Sequence, residues 1–404
     1  MRYAADLHLH SRHSSAVSPD MTLENIARYA RRKGIDVIGT GDCLQPQWLE
    51  ELSAKLIERE PGWFSLKKEI DREIEDDLPS SLKGKPLRFV FCTEVHCAPV
   101  GSGRLGGIHH LIYFPSPGHA SELAQKLMRH GDLSEGRPSV NLTSRQLLEL
   151  TLDIEGCHFA PAHVMNPYFS SLGSEEEHHE LAGLFGELQP RLLAVETGLT
   201  SIPTMCRRIS SLDGHALFSN SDAHSLENIG REFTILETKP GYEPMIAALA
   251  DKSAPRELYK YPLSMTRYFL NWCGHCKRAF DDTRCPSCRQ KLITGSRDWL
   301  ETIADRTEPA GEPEHFLTLL PLIVLLAKAF GLTVKSAKVE SYRERMLQQL
   351  GSDRYILTMA NEEELRRICL PHIAEAILDQ RIVGSRSATI SLKTSSPSDE
   401  QLTF

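Results

Sequence analysis

The stretches Asp6-Leu7-His8-Leu9-His10 and Asn220-Ser221-Asp222-Ala223-His224 each end a short strand-like run with two side chains that commonly bind metals. On a β-strand, residues two positions apart point to the same face. The two histidines of the first stretch can therefore bind one ion together, and so can the aspartate and histidine that close the second. Imidazoles and carboxylates gathered at strand ends are typical of a metallohydrolase.

Between these two stretches, strand-like and helix-like segments alternate. Thr22 and Gly34 have the residue types of an N-cap and a C-terminal stop, and the segment between them carries an apolar stripe, so a helix is predicted there. Strand-like runs follow at residues 35–40, 87–92, 108–114, 158–162, 192–196 and 216–220. This alternation predicts an α/β fold with a parallel sheet or barrel, whose active site lies at the C-terminal ends of the strands.

The candidate metal ligands of this region fit that prediction. They are His8, His10, Asp42, Glu94, His110, His163, Asp222 and His224. Each lies at or just after the C-terminal end of a strand-like run, except His110, which lies near the start of its run. A lone histidine is most often a surface or core residue, but charged groups at strand ends are costly to desolvate without a metal or a partner. We expect catalytic roles for Asp42, Asp222 and His224.

A second metal site is predicted from four cysteines in a CxxC-x8-CxxC pattern. They are Cys273, Cys276, Cys285 and Cys288. Two such knuckles at this spacing indicate a structural zinc ribbon, because four thiolates leave no open position on the ion. Zinc binding supplies about 10–16 kcal/mol to units too small to bury a core. A redox pair is the alternative, and the match of both halves disfavours it.

The charge distribution indicates a contact with an anionic polymer. The chain of 404 residues has a net charge of −8, yet residues 252–299 contain ten Lys/Arg and only four Asp/Glu. Such a local basic patch can hold a phosphate backbone. The candidate DNA-binding residues are Arg267, Lys277, Arg278, Arg284, Arg289 and Lys291. The alternative is a solvated face of mixed charge.

The organisation along the chain predicts a barrel at 1–262, the zinc ribbon at 263–295, a helical C-terminal domain at 296–390 and a flexible tail at 391–404. No apolar run reaches membrane-spanning length and the N-terminus lacks a signal-peptide core, so we expect a cytoplasmic protein without a membrane partner. In the tail, Gln401, Leu402 and Phe404 resemble the peptides that bacterial sliding clamps bind; the alternative is a frayed terminus.

The order of these motifs resembles that of the PHP (polymerase and histidinol phosphatase) superfamily. The resemblance implies a distorted (β/α)7 barrel with up to three ions. One ion would be held by His8, His10, Glu94 and Asp222, a second by Glu94, His110 and His163, and a third by Asp42 and His224. His109 is the alternative to His110, which is preferred because it begins the usual His-Leu-aliphatic run. Glu196 is an additional candidate ligand. In one departure from the pattern, Asp42 occupies a position where the superfamily usually has a histidine.

A PHP-like barrel followed by a four-Cys ribbon and a helical region resembles the endonuclease Q family across essentially the whole chain. Particularly similar stretches are Gly39-Thr40-Gly41-Asp42 and Cys92-Thr93-Glu94-Val95. The resemblance implies a DNA repair endonuclease that uses metal-activated water to hydrolyse the phosphodiester 5′ of deaminated bases (uracil, hypoxanthine, xanthine) and abasic sites. Its cofactors would be Zn²⁺ in both sites, with Mg²⁺ or Mn²⁺ as alternatives in the active site.

Two other functions stay open at this point. A phosphoesterase acting on a small phosphomonoester needs the same barrel ligands but neither the ribbon nor the basic stretch. A zinc-stabilised DNA-binding module with an inactive barrel needs the ribbon, but the intact series of ligands counts against it. Aromatic candidates for a pocket that would receive a flipped nucleotide are Tyr168-Phe169, Trp63-Phe64 and Trp272. The alternative for each of them is packing in the apolar core.

Overall fold

The computed structural model describes residues 1–98, 107–175 and 180–386. The elements of the N-terminal part are β1 (Arg2–Asp6), α1 (Leu23–Lys33), β2 (Val37–Gly39), α2 (Pro46–Lys55), β3 (Leu56–Glu60), β4 (Trp63–Leu66), α3 (Lys68–Asp76), β5 (Arg88–Cys97), β6 (Ile108–Phe114), α4 (Pro117–Leu127), β7 (Gly131–Asp132), β8 (Ser139–Val140), α5 (Ser144–Leu152), β9 (His158–Pro161), α6 (Leu181–Phe185), β10 (Val195–Glu196), α7 (Pro203–Cys206), β11 (Leu217–Phe218), β12 (Phe233–Glu237), α8 (Tyr242–Ala250) and β13 (Arg256–Lys260).

The remaining elements are β14 (Asn271–Cys273), β15 (Arg278–Phe280), α9 (Ser296–Ile303), β16 (Phe316–Thr318), α10 (Leu322–Phe330), α11 (Ala337–Leu350), α12 (Asp353–Thr358), α13 (Glu362–Ile368) and α14 (Pro371–Arg386). As the sequence predicted, α1 begins after Thr22, whose side chain accepts a hydrogen bond from Asn25 N, and ends at Gly34 in a left-handed conformation.

Seven strands of the described chain follow one another around a closed barrel. β1 pairs with β2 and β2 with β5 in parallel, whereas β6 pairs antiparallel with both β5 and β9. Leu193 N donates to Phe159 O at 2.8 Å and links β9 to β10, which pairs in parallel with β11. A bridge between Leu9 and Ala223 returns the ring to the end of β1. The predicted α/β barrel is therefore confirmed.

One strand departs from the parallel arrangement that the sequence pattern predicted. Residues 98–107 separate β5 from β6, and a parallel crossover needs a dozen residues or more. β6 therefore returns antiparallel beside β5, with Glu94 opposite Leu111. As a result, the start of β6 lies at the edge of the barrel where the parallel strands end, which brings its first histidines to the candidate site.

The barrel interior is a separate apolar cluster that includes Tyr3, Leu7, Val90 and Tyr113. Trp63 belongs to this interior and packs edge-on against Tyr3, with 5.2 Å between ring centroids. Tyr3 lies near the start of β1, whereas the candidate ligands follow the end of that strand. Trp63 is therefore a core residue, which was the alternative for this pocket candidate, and it does not line a pocket at the ligand end.

The C-terminal helices pack against the barrel. β16 pairs in parallel with β13 and extends the central sheet, and buried residues of α10 share one apolar core with the helices around the barrel. Buried Arg343 of α11 forms a two-pronged ion pair with Asp353 (Nε–Oδ1 3.1 Å, Nη2–Oδ2 2.8 Å). In the described residues, no helix is long and apolar enough to cross a membrane. Gln401, Leu402, Phe404 and the rest of the predicted tail lie outside the described residues.

Candidate metal centre

The ends of the barrel strands bring together one group of imidazoles and carboxylates, here called the histidine–carboxylate cluster. Its members are His8, His10, Glu94, His109, His163, Asp222 and His224. Glu94 lies at its centre: its Oε1 is 3.5 Å from His8 Nε2, and its Oε2 is 3.3 Å from His10 Nε2. Both histidine Nε2 atoms also lie 3.4 Å from Asp222 Oδ1. The four residues expected to hold a first ion thus converge.

The second expected group also forms, but with His109 in place of His110. His109 Nδ1 and His163 Nε2 each lie 3.0 Å from Glu94 Oε1. His110 points to the opposite face of β6, where it packs against Phe159 at 4.7 Å and its Nε2 lies 2.8 Å from Ser144 Oγ. The register of Glu94 opposite Leu111 explains this correction, because alternate residues share a face and His109 is two residues from Leu111.

The third expected pair, Asp42 with His224, is replaced by His10, Asp222 and His224, whose ligand atoms lie within 4.8 Å of one another. Asp42 is fully buried and both its oxygens are engaged. Oδ1 lies 2.9 Å from His10 Nδ1, and Oδ2 accepts hydrogen bonds from Ser11 N, Ser11 Oγ and Ser14 Oγ. The structure therefore places Asp42 behind His10, as a residue that orients the imidazole, and not as a ligand or a catalytic group.

Glu196 holds His8 in the same way. Its Oε1 and Oε2 lie 3.1 and 3.0 Å from His8 Nδ1, and it also accepts hydrogen bonds from His163 N and Asn220 Nδ2, each at 2.8 Å. A carboxylate on one ring nitrogen fixes the tautomer and leaves the other nitrogen free for an ion. Glu196 thus supports the cluster from behind, which argues against the ligand role considered for it.

Burial and mutual charge shift the proton affinities of the cluster in opposite directions. Burial alone would lower the pKa of His8, but Glu196, Asp222 and Glu94 outweigh it and raise that pKa well above its ordinary value. Burial would raise the pKa of Glu94, yet His109 and His8 hold it well below the usual range. Burial lowers the pKa of His109 to about 3.

Three residues of this region have left-handed backbone conformations that only glycine adopts without cost. The φ angles are 48° at Asp42, 29° at His163 and 47° at Asp222. Such conformations cost about 1–3 kcal/mol each and persist only where the surroundings enforce them. Asp222 is held by Arg231, whose Nε donates to Ser221 O at 2.8 Å and whose Nη2 donates to Asp222 O at 3.2 Å.

The cluster satisfies the requirements of a metal centre. His8 Nε2, His10 Nε2 and Asp222 Oδ1 are buried yet form no hydrogen bond with any described residue. Buried polar atoms are rarely left so, because each costs about 1–3 kcal/mol. Divalent ions held by these residues together with Glu94 would satisfy them. Mixed imidazole and carboxylate donors suit Zn²⁺ and Mn²⁺, and carboxylates also suit Mg²⁺.

One residue near the cluster that the sequence reasoning missed is Arg137, in the loop between β7 and β8. Its Nη1 lies 3.2 Å from Glu94 Oε2. Nothing in the sequence around Arg137 marks it, because the loop reaches the cluster only through the fold. It is a cationic side chain at the opening of a site built mainly from metal ligands.

The four cysteines of the ribbon converge as predicted, and their Sγ atoms lie within 4.8 Å of one another. Cys276 N donates to Cys273 Sγ, and Cys288 N donates to Cys285 Sγ. The residues after the second cysteine of each pair, Lys277 and Arg289, are left-handed, as two knuckles folding around one ion require. This geometry agrees with a structural metal site.

The basic residues predicted to contact DNA all lie on the surface. Arg267, Lys277, Arg278, Arg284, Arg289 and Lys291 are exposed. Arg267 also lies over the Trp272 ring, 5.4 Å from its centroid. Hydrogen bonds fix this unit to the barrel: Ser174 Oγ donates to Thr294 O at 2.7 Å, and Trp299 Nε1, just beyond the ribbon, donates to Leu172 O at 2.8 Å.

Comparisons with known proteins agree with this architecture, although no family model matches the chain. The uncharacterized protein MJ0043 of Methanocaldococcus jannaschii is 34% identical over 164 residues, 40% of this chain; the match spans 16% of that protein's length. The uncharacterized protein YqxK of Bacillus subtilis is 25% identical over 410 residues, covering 96% of each protein.

Two solved structures resemble the whole chain. The lesion-specific endonuclease PfuEndoQ from Pyrococcus furiosus has a TM-score of 0.80 and 27% identity, over 95% of this chain and 91% of that one. Endonuclease Q in complex with a 27-mer duplex carrying an abasic lesion at the active site has a TM-score of 0.81 and 27% identity, over 95% and 92% of the two chains.

Proposed function

We propose that this chain is a metal-dependent DNA repair endonuclease specific for lesions, because it resembles endonuclease Q over nearly its whole length. Its substrates would be DNA with uracil, hypoxanthine or xanthine bases, or with abasic sites, and it would cut the phosphodiester on the 5′ side. The observation that carries the proposal is the histidine–carboxylate cluster, which lies at the same end of the barrel as the loops that hold the basic ribbon.

The arrangement of donors supports hydrolysis of a phosphate ester. When bound, divalent ions supply Lewis-acid stabilisation and lower the pKa of a coordinated water, chemistry that suits phosphodiester cleavage. His8, His10, Glu94, His109, His163, Asp222 and His224 would hold them. A positioned general base alone supplies about 10²–10⁴-fold, whereas phosphate esters need accelerations near or above the top of the ~10⁶–10¹⁷ range.

The chain's own residues would divide the remaining work. Glu196 and Asp42 fix the ring orientations of His8 and His10. Asp222 and His224 lie on the open side of the cluster, with side chains 25% and 32% exposed, so they can meet a substrate. The exposed cations of the ribbon would bind the DNA backbone. Tyr168 packs against Tyr268 of the ribbon at 5.9 Å and against Phe169 at 6.2 Å, and Phe169 stacks on His109 of the cluster.

The proposal is tested with end-labelled duplexes that carry one uracil, hypoxanthine, xanthine or abasic site, with and without a chelator. We expect a nick 5′ of the lesion that the chelator abolishes. Asp222→Asn should abolish cleavage while the protein stays folded. Asp251→Asn, a matched change at an exposed aspartate outside the cluster, should leave cleavage intact. Cleavage that persists in Asp222→Asn or in excess chelator would refute the metal mechanism.

The rival function, hydrolysis of a small phosphomonoester, uses the same cluster. The observation against it is the ribbon, whose six exposed cations have no role with a small substrate. Hydrolysis of a chromogenic monoester without any nicking of lesion DNA would favour the rival. Binding of lesion DNA without cutting would instead favour a DNA-binding module with an inactive barrel.

We also propose a bacterial-type sliding clamp as a protein partner, bound through Gln401, Leu402 and Phe404. The support is the sequence pattern alone, a glutamine, a leucine and an aromatic residue that suit an apolar groove. Deletion of residues 401–404 should abolish binding to the clamp in a pull-down and leave cleavage of short duplexes unchanged. Equal clamp binding by the truncated protein would remove this partner.

A further inference from the structure

Arg137 lies at the opening of the histidine–carboxylate cluster and faces both the cluster and solvent. Its guanidinium Nη1 is 3.2 Å from Glu94 Oε2. The side chain of Glu94 is only 1% exposed, whereas that of Arg137 is 27% exposed. Burial would lower the pKa of Arg137, but Glu94, Asp222 and Asp42 outweigh it and raise that pKa. The guanidinium is therefore within range of the cluster and reachable by a ligand that enters from outside.

The loop that carries Arg137 is fixed on both sides of this residue. Gly136 N donates a hydrogen bond to His13 O at 2.8 Å, and Pro138 O accepts one from His96 N at 3.0 Å. A Cβ atom at Gly136 would lie 2.5 Å from Asp42 Oδ2, so only glycine lets the loop approach this closely. The backbone on either side of Arg137 is thus held against two segments that carry cluster residues, and the approach of its side chain to Glu94 follows from the fold.

A fixed cation is unusual beside a centre built to bind cations. Glu94 and Asp222, with Asp42 and Glu196 behind the histidines, contribute four negative charges. Two divalent ions would neutralise these four charges, so Arg137 would add a positive charge that the carboxylates no longer balance. Because Arg137 contacts Glu94 directly, ions bound to Glu94 would repel its guanidinium, and a partly buried guanidinium without an anion is costly. A phosphodiester supplies the missing anion, and a guanidinium matches its oxygens in geometry and charge.

We propose that Arg137 is a catalytic residue that binds a non-bridging oxygen of the scissile phosphodiester and stabilises the charge that collects there in the transition state. The inference rests on the proposed function, because it assigns to Arg137 the phosphate that the cluster would cleave. It adds a contact that the comparisons do not describe and that the metal ligands do not supply.

The first test compares Arg137→Ala and Arg137→Lys with wild type in single-turnover cleavage of a duplex with one abasic site. Loss of a group that binds developing charge costs about 10²–10³-fold in rate, and Arg137→Lys should recover part of it. Guanidinium ions at low millimolar concentration should partly rescue Arg137→Ala. The matched control is Arg145→Ala. Arg145 is an exposed arginine that pairs with Glu149 on α5 and with Glu187 after α6, and the cleavage rate of this variant should equal that of the wild type.

Two further measurements do not depend on activity. With Ca²⁺ in place of the catalytic ion, the negative slope of log K against log salt for DNA binding should become shallower by about 0.9 in Arg137→Ala, as one lost phosphate contact requires. Titration of the metal-free protein with Mn²⁺ should show tighter binding in Arg137→Ala, because a repulsive charge is gone. A purely structural role would instead weaken Mn²⁺ binding.

The inference would be overturned if Arg137→Ala kept the cleavage rate, the salt slope and the Mn²⁺ affinity of the wild type. Weaker Mn²⁺ binding in this variant would overturn it as well. If the wild-type protein cuts no lesion DNA, the proposed function fails. The salt slope and the Mn²⁺ titration then still decide whether Arg137 contacts a DNA phosphate, so the two failures can be distinguished.

Discussion

Removal of the buried charge of Lys260 should destabilise the protein more than removal of one partner of a surface ion pair. Lys260 and Glu232 are both fully buried and in direct contact. Lys260 Nζ also lies 2.9 Å from Thr197 Oγ1, 2.6 Å from Gly198 O and 3.0 Å from Ser219 Oγ. The pair thus joins the ends of the two strands that lead to Glu196 and Asp222.

The expected magnitude follows from what the substitution Lys260→Met leaves behind. Loss of one partner of a buried pair costs about 3–5 kcal/mol, because the other charge stays buried without compensation. Burial already raises the pKa of Glu232 against the effect of Lys260. Without the lysine this carboxyl would take up a proton in the folded state at a higher pH than in the unfolded chain, so the variant's stability should fall as pH rises.

Urea unfolding followed by circular dichroism, near neutral pH and again at about pH 5, measures both effects. We expect Lys260→Met to lose about 3–5 kcal/mol near neutral pH and less at the lower pH, and Lys260→Met/Glu232→Gln to recover part of the loss. The control Lys55→Met removes a partly exposed pair with Glu24 and Glu51, which contributes about 0–1 kcal/mol. A loss no larger than that of the control, or one that does not depend on pH, would refute the reasoning.

Three further outcomes can be measured. His109→Gln should lower the bound metal per protein by elemental analysis, whereas His110→Gln should keep it and cost only about 1–3 kcal/mol of stability through the contact with Ser144; equal metal loss in both variants would contradict the assignment. Cys276→Ser should release the ribbon metal and expose residues around 263–295 to limited proteolysis, since about 10–16 kcal/mol of binding energy folds such units; an unchanged digestion pattern would argue against a structural ion. Burial would raise the pKa of Asp353, but Arg343 and Lys33 outweigh it and lower that pKa, so this pair stabilises the fold above about pH 4 and the contribution fades as pH falls toward the folded pKa. Asp353→Asn should be less stable near neutral pH and show a weaker loss in acid; parallel pH profiles would contradict this.

The sequence was sufficient to predict the cluster where ligand type and strand end coincide, as in His8, His10, Asp222 and His224. It was not sufficient on β6. There, His110 shares a face with Ile108 and Ile112, and His109 shares one with Leu111 and Tyr113. Both faces are buried and apolar, so periodicity cannot decide between the two histidines, and only the register against Glu94 does.

Long-range geometry explains the other differences. Asp42 has the chemistry of a ligand, and only the fold shows that Ser11, Ser14 and His10 engage both of its oxygens. The antiparallel direction of β6 follows from its short connection to β5. That connection is known to be short only once β5 is seen to extend to Cys97, because the sequence pattern ended the strand at residue 92. Arg137 reaches Glu94 across 43 residues of sequence, and no local pattern encodes that approach.

The hydrogen bonds that join Ser174 to Thr294 and Leu172 to Trp299 have a mechanical consequence. They attach the zinc ribbon to the loop that follows β9, so the distance between the ribbon and the histidine–carboxylate cluster is fixed. A duplex bound to the ribbon would reach the cluster at a constant distance. If its target phosphate lay elsewhere, the nucleic acid itself would have to bend or unstack to bring that phosphate to the cluster.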